Sequence, residues 1–434
     1  MNRRPGLAQD PCRGPLLAAL LACIPGPVTA QSVESDVTPE SAALVKSDGD
    51  FVMSSVIPDK TLAAAQYKDE HDRFSVKFGF VVMPMDYTSF DQDAASKAQV
   101  GNQQDELEAR SLRLSARGHF ELFRTWNYLL SYEYKGFDQT STDDWNTTDF
   151  RIGTVLGPHL GTLTLGKIKE PFSYEMVGDA ANLPHHERLL SPFFRSRNDG
   201  VMLGNTVFGQ RATWAVGWYN DWWTQGDSWS DSGNDFAARF TSLPVWSGEG
   251  ANYLHLGASM RYAGADDDQL RYKGKPASNV ADDFVDTGKL AGDHAWHTGV
   301  EALWNRGGYS VLAEYVRADL STRDGSDPTL DGWYVTGSWV LTGEHRPYDR
   351  KAGYARRILP QGRWGAVELI GRYGKVDLDD GTVRGGTMDG WWAGVNWWAN
   401  NRWKASVGYG TIDLDRFGIE GNTETLLTRL QWIY

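Results

Sequence analysis

Residues 254–262 run Leu254-His255-Leu256-Gly257-Ala258-Ser259-Met260-Arg261-Tyr262. Successive side chains of an extended chain point to opposite faces. Leu254, Leu256, Ala258, Met260 and Tyr262 therefore share one face, and His255, Gly257, Ser259 and Arg261 the other. The same pattern recurs in both directions. Phe74, Val76, Phe78 and Phe80 alternate with Ser75, Lys77 and Gly79; Trp126, Tyr128, Leu130, Tyr132 and Tyr134 alternate with Asn127, Ser131, Glu133 and Lys135. At the far end Leu430, Trp432 and Tyr434 lie opposite Arg429 and Gln431. From Arg73 to Tyr434 about sixteen such segments follow one another, separated by stretches rich in Gly, Asp, Asn and Ser.

A soluble β-sandwich would also alternate, with one face in its core. Two features favour a membrane barrel. Trp and Tyr gather at segment ends: Trp126, Trp218-Tyr219, Trp222-Trp223, Trp391-Trp392, Trp397-Trp398, Trp403 and Trp432. Amphipathic rings at both edges of an apolar band form the girdle of an outer-membrane barrel. The sequence also stops inside a strand pattern, on Tyr434. Closure into a barrel satisfies every backbone amide in lipid, which an open sheet cannot do. The expected fold is all-β: a transmembrane antiparallel barrel of about 16 strands over 73–434, with lipid around it.

Composition agrees. The 434 residues carry 43 Lys and Arg against 56 Asp and Glu, a formal net charge of −13, which excludes nucleic-acid binding by bulk charge. No run of about 20 apolar residues occurs past the N-terminus, so a helical membrane protein is excluded. Nineteen Trp, 18 Tyr and 17 Phe argue against wholesale disorder.

Residues 1–30 have the form of a cleaved signal peptide. Arg3, Arg4 and Arg13 form its basic end, 16–24 its apolar core, and Val28-Thr29-Ala30 a small-residue site before Gln31. A lipoprotein-type alternative ends at Cys23, after Leu20-Leu21-Ala22. Both cysteines, Cys12 and Cys23, fall inside this segment, so the exported chain would carry none. Residues 31–72 are polar and acidic and are expected to form a flexible periplasmic lead-in.

If the apolar face meets lipid, the other face lines a lumen. That face is basic: Lys77, Arg113, Arg117, Lys135, Arg151, Arg239, Arg261, Arg372 and Arg429, with Glu133, Glu314 and Glu368 among them. A net acidic protein can thus hold a positive pore, whose low-dielectric walls focus the field on anions. Tight links near 120–124, 156–160, 206–210, 305–307 and 399–401 are expected to be periplasmic turns. Longer ones, including 169–198 and 344–361, would face outward or fold into the lumen. The stretch 166–200 stands out for its length, three prolines (Pro171, Pro184 and Pro192) and concentrated Lys and Arg.

Several blocks in order resemble the phosphate-selective porin O/P family. These are Met85-Asp86-Tyr87-Thr88-Ser89-Phe90-Asp91; Glu108-Ala109-Arg110-Ser111-Leu112-Arg113, with Ser111 where a second arginine is usual; and Gly166-Lys167-Ile168-Lys169-Glu170-Pro171-Phe172-Ser173. Glu187-Arg188 before Gly200-Val201, Leu341 to Tyr348 and Gly365 to Tyr373 are similar to further family blocks. The resemblance implies a sixteen-stranded trimeric porin of a Gram-negative outer membrane. It also implies an arginine ladder leading anions to a lysine-containing constriction. Arg110 and Arg113 would belong to the ladder, and Lys167 and Lys169 to the block nearest the constriction. Phosphate, polyphosphate or other small anions would pass by diffusion, without cofactor; the alternative is a general or other substrate-specific porin.

Rival chemistry finds little footing. His185-His186-Glu187 lacks a nearby third ligand pattern for a metal, and no HExxH occurs. No Gly-x-Ser-x-Gly elbow marks a hydrolase. Asn146-Thr147-Thr148 matches a glycosylation sequon by chance.

Overall fold

The structure is a computed structural model that describes residues 66–134, 145–220, 222 and 232–433. The segment read as a signal peptide, Cys23, Lys135, Trp223 and Tyr434 lie outside the described residues.

Sixteen antiparallel strands among the described residues close into a barrel. They are β1 (Phe74–Gln92), β2 (Ser111–Leu122), β3 (Arg124–Tyr134), β4 (Trp145–Gly157), β5 (Gly161–Ile168), β6 (Asn198–Val207), β7 (Ala212–Asn220) and β8 (Asn234–Ser247). The second half comprises β9 (Asn252–Gly264), β10 (Leu290–Arg306), β11 (Tyr309–Thr322), β12 (Thr329–Val340), β13 (Ala366–Asp380), β14 (Val383–Trp398), β15 (Trp403–Arg416) and β16 (Ile419–Ile433). Each pairs with the next, and β1 closes the ring on β16 from Val81↔Ile433 to Gln92↔Thr423. All sixteen segments of the sequence reading become strands. The main differences are ends that run a turn or more longer, because strands continue past the apolar band into polar rims.

Local chemistry sets the punctuation. The register of β1 against β16 shifts between Val82 and Met85, where Pro84 has no N–H to give the ladder. Gly307, at φ 54°, makes the tight link from β10 to β11 in a conformation that costs glycine little. A short strand, Gln66–Lys68, pairs with Ser75–Lys77 inside the stretch expected to be lead-in. The three-residue strand Glu106–Glu108 pairs with Asp86–Thr88 above β2.

The outer face is apolar. Phe78, Phe150, Leu256, Val300 and Val335 stand exposed along it, with Trp304, Tyr309, Trp339, Trp397 and Trp403 toward the end that carries the tight links. Lipid would cover these side chains, and the aromatic rings suit the membrane interface. Two tryptophans assigned to the girdle are corrected: Trp392 and Trp398 are buried, at 8% and 0%. Adjacent residues of a strand point apart, so each Trp-Trp pair on β14 sends one ring out and one in.

Two long links enter the lumen from opposite ends. Residues 169–197, between β5 and β6, descend from the end opposite the tight turns. Residues 341–365, between β12 and β13, rise from the end that carries them. Short turns mark that end as periplasmic, so 341–365 is a long periplasmic link that folds inward. The links meet where the Ala355 amide donates to Tyr174 Oη at 3.0 Å and Arg346 Nη1 donates to the Asn182 carbonyl at 3.2 Å.

An apolar core lies inside the barrel. Phe172, Tyr174, Leu189, Leu190 and Phe193 of the first link pack with Tyr253, Leu312, Val316 and Tyr334 of the wall. The expectation of a polar inner face is corrected for β9–β12, where Leu303, Leu312, Val316, Leu320 and Leu330 point inward and are buried. Inward apolar side chains facing water would forfeit their burial, and the links cover them.

Candidate functional site

The link 169–197 is held to the wall by carboxylates. Glu314 on β11 accepts the backbone amides of Tyr174 (2.8 Å) and Glu175 (3.2 Å), and the Tyr334 hydroxyl at 3.0 Å. These bonds fix the reversal that follows Ser173, whose φ is 64°. Glu175 pairs with Arg372 at 2.5 Å, accepts the Leu190 amide at 3.0 Å and lies 3.1 Å from His185. Glu170 pairs with Arg261 at 2.5 Å, and Asp235 meets the same guanidinium at 2.7 Å. Glu187 receives Arg110 at 2.9 Å and Arg429 at 2.5 Å; Arg429 also reaches Asp86 at 2.6 Å.

The link 341–365 is held in the same way. Arg239 pairs with Glu301 and donates to the Gly353 carbonyl at 2.8 Å. His255 joins Glu301 at 2.8 Å and shares a hydrogen bond with Tyr348 Oη at 2.7 Å. Arg346 pairs with Glu368, which also accepts Asn396 and Trp398 at 3.0 Å each.

The twelve residues singled out in the sequence therefore separate. Arg239, Arg261, Arg372 and Arg429 point inward but are 5–6% exposed and bound to carboxylates. Arg110 sits at the break above β2, locked to Glu187. Lys169 turns inward at the root of the first link. Its ammonium donates to the carbonyls of Val177 (3.3 Å) and Gly178 (3.2 Å) and pairs with Asp179 at 3.2 Å. Lys167 does not join this set: its register partner is the outward Phe150, so it shares the outer face. Lys77, Arg113, Arg117 and Arg151 remain on the inner wall of β1, β2 and β4; Arg113 pairs with Glu133 at 2.6 Å.

The sequence reading did not find the partners Glu170, Glu175, Glu187, Glu301 and Asp235. Strand parity could have found two of them, since Glu301 alternates with Val300 and Ala302, and Asp235 with Phe236. The link residues carry no periodicity and show no such signal.

Comparison with known proteins places this geometry. The profile described as Phosphate-selective porin O and P matches residues 76–434. Porin O of Pseudomonas aeruginosa is 23% identical over 448 residues, covering 94% of this chain and 96% of that protein. Among solved structures, the anion-selective porin from Comamonas acidovorans aligns with a TM-score of 0.53 at 13% identity, over 83% of this chain and 100% of the other. The outer-membrane channel DcaP of Acinetobacter baumannii aligns with a TM-score of 0.51 at 14% identity, over 85% and 99%. These likenesses carry the fold, a porin barrel. With the family profile matching most of its length, the chain belongs to the phosphate-selective porin O and P family of Gram-negative outer membranes.

Proposed function

We propose that the protein passes small anions, phosphate or polyphosphate among them, by diffusion through the barrel, and does so as a homotrimer. The observation that carries the reading is the inward register of Lys77, Arg113, Arg117 and Arg151 within a closed barrel. Phosphate is strongly hydrated, so a pore must replace its water with charge-assisted hydrogen bonds. Guanidinium forks match phosphate oxygens, and lysine supplies a point charge. Several weak stations in series let an ion enter and leave. Family membership supports a channel rather than an enzyme.

A second reading, an anion porin without phosphate preference, has one observation behind it. Ser111 stands where the resemblance leads one to expect an arginine, and its hydroxyl is spent on Glu133. Reversal potentials in planar bilayers test anion passage, with cation preference in dilute KCl the result against it. Block of chloride current by phosphate and pyrophosphate separates the two readings: block at submillimolar concentrations supports the first, and none the second.

A further inference from the structure

We propose that links at the periplasmic end of the barrel form a collar that binds anionic phospholipids of the periplasmic leaflet, with Arg124, Arg211, Arg306 and Arg363 taking lipid phosphates and the aromatic rings beside them reaching toward the acyl chains. The collar lies on the rim and stands apart from what the lumen passes.

One combination of residues recurs around this rim. Phe123-Arg124 makes the link from β2 to β3, Phe208 to Arg211 that from β6 to β7, and Arg306 to Tyr309 that from β10 to β11. Arg363-Trp364 closes the long periplasmic link just before β13. Phe123 is fully exposed, and Phe208 and Trp364 are each 79% exposed. Single exposed rings are ordinary; a ring beside an arginine on four links of one end is a pattern that a shared surface explains.

Two of the rings are held out against backbone preference. Phe123 has φ 59° and Phe208 φ 52°. Bulky residues rarely enter this left-handed region, and such strain gathers where function needs the side chain. Two of the links are also tied to girdle indoles, which sit at the membrane interface. Trp126 Nε1 donates to the Leu122 carbonyl at 3.2 Å, and Trp397 Nε1 to the Trp364 carbonyl at 2.8 Å.

The arginines are open to an anion. Arg124, Arg306 and Arg363 are exposed, and Arg211 is half-buried. Among the described residues none of the four pairs with a carboxylate. Arg124 and Arg211 donate to the carbonyls of Val155 (3.4 Å) and Leu243 (3.1 Å), and Arg363 lies 5.3 Å from the centre of the Trp364 ring. Acids of this end are engaged elsewhere: Asp69 and Asp72 lie beside Arg73 and Lys68, Glu121 takes the Thr125 hydroxyl at 2.6 Å, and Glu344 takes the Gln361 amide at 3.1 Å. Glu249 stands on the link from β8 to β9. The opposite end treats arginine differently: Arg271 meets Asp286 at 2.5 Å, Arg317 meets Asp319 at 2.6 Å, and Arg323 meets Asp268 at 2.6 Å. Guanidinium forks match phosphate oxygens, and cations at headgroup level are drawn to anionic lipid. A free phosphate would leave the rings without a role, whereas a phospholipid engages both halves of each pair.

The test uses the full-length protein in phosphatidylcholine vesicles carrying traces of spin-labelled phosphatidylglycerol or phosphatidylcholine. Electron paramagnetic resonance gives the fraction of each lipid immobilised at the protein. Phosphatidylglycerol should associate about threefold more strongly or better in dilute KCl, and the preference should vanish at about 1 M KCl, where exposed charges are screened. Arg124→Gln, Arg211→Gln, Arg306→Gln and Arg363→Gln, combined, should abolish it in dilute salt. A wild-type protein without preference, or a combined variant that keeps it, overturns the proposal. Loss of the preference on adding inorganic phosphate at constant ionic strength overturns it too, by making the collar a site for the free ion. Phe123→Gly carries the question should the combined variant fail to assemble. Glycine relieves the strained φ, so a ring standing in water makes this variant more stable, and a ring seated in lipid makes it less so. The urea midpoint in phospholipid vesicles should fall; one that rises or holds overturns the proposal.

Discussion

The wall of β1–β4 and the wall of β9–β13 obey the same alternation but end in different environments. Both send apolar side chains outward and place arginines inward. On β2–β4 the inward neighbours of those arginines are small or polar: Ser115, Ser131, Asn127 and Gly153, of which Asn127 is exposed and Ser115 half-buried. On β9–β12 the inward neighbours are Tyr253, Leu312, Val316 and Leu330, and two links fold over them. An inward arginine is therefore not by itself a pore residue. Its surroundings differ from wall to wall: Arg113 pairs with Glu133 of the next strand, while Arg261 and Arg372 meet carboxylates of a link that covers buried leucines.

The largest effect should come from breaking a fastener on one side only. Arg372→Ala leaves Glu175 buried without its guanidinium partner, and loss of one member of a buried pair costs about 3–5 kcal/mol. The midpoint of urea-induced unfolding from phospholipid vesicles should fall markedly, and proteolysis within 171–192 should quicken. An unchanged midpoint would mean that the first link is not held by this pair.

A matched truncation on each wall separates them more sharply. Leu312→Ala removes a side chain 4% exposed beneath the links, and large-to-small changes at such sites cost about 2–5 kcal/mol. Leu129→Ala also faces inward but keeps partial exposure, so its cost should stay below about 1 kcal/mol by lost transfer of a half-exposed chain. Comparable losses in the two variants would show that the lumen is filled on both sides, and the contrast between the walls would fail.

How much of this was legible depends on which force wrote it. The strands came through because lipid outside and a polar or covered interior inside impose a period of two, and sixteen segments carried it. The inward placement of Lys77, Arg117, Arg239, Arg261, Arg372 and Arg429 followed from the same parity. Lys167 was misplaced for want of that parity: it came from the family block, and its register partner Phe150 sends it to the outer face. The fasteners were hidden because Glu170, Glu175 and Glu187 lie in a link without repeat, and their arginine partners are 77 or more positions away. The inward leucines of β11 were visible as Leu312, Val316 and Leu320. They alternate with Val311, Tyr315 and Arg317, so both faces read as largely apolar and the pattern does not say which one meets lipid.

The smallest test compares two single hydrogen bonds, one per wall. Tyr348→Phe deletes the hydroxyl that His255 Nδ1 meets at 2.7 Å, while the ring contacts with Tyr253 (5.1 Å between centroids) and His255 (5.5 Å) survive. Because His255 is fully buried, bulk solvent does not reach its ring, and the loss should be about 1–3 kcal/mol, the cost of an unmet buried polar group. Ser115→Ala deletes the bond from Ser115 Oγ to the Gly79 carbonyl at 3.1 Å. There water can replace the lost donor, so the urea midpoint should hardly move, within about 0.5 kcal/mol of wild type. A Ser115→Ala loss as large as that of Tyr348→Phe would mean that the β1–β2 wall is as closed to solvent as the other, and the contrast between the walls would fail.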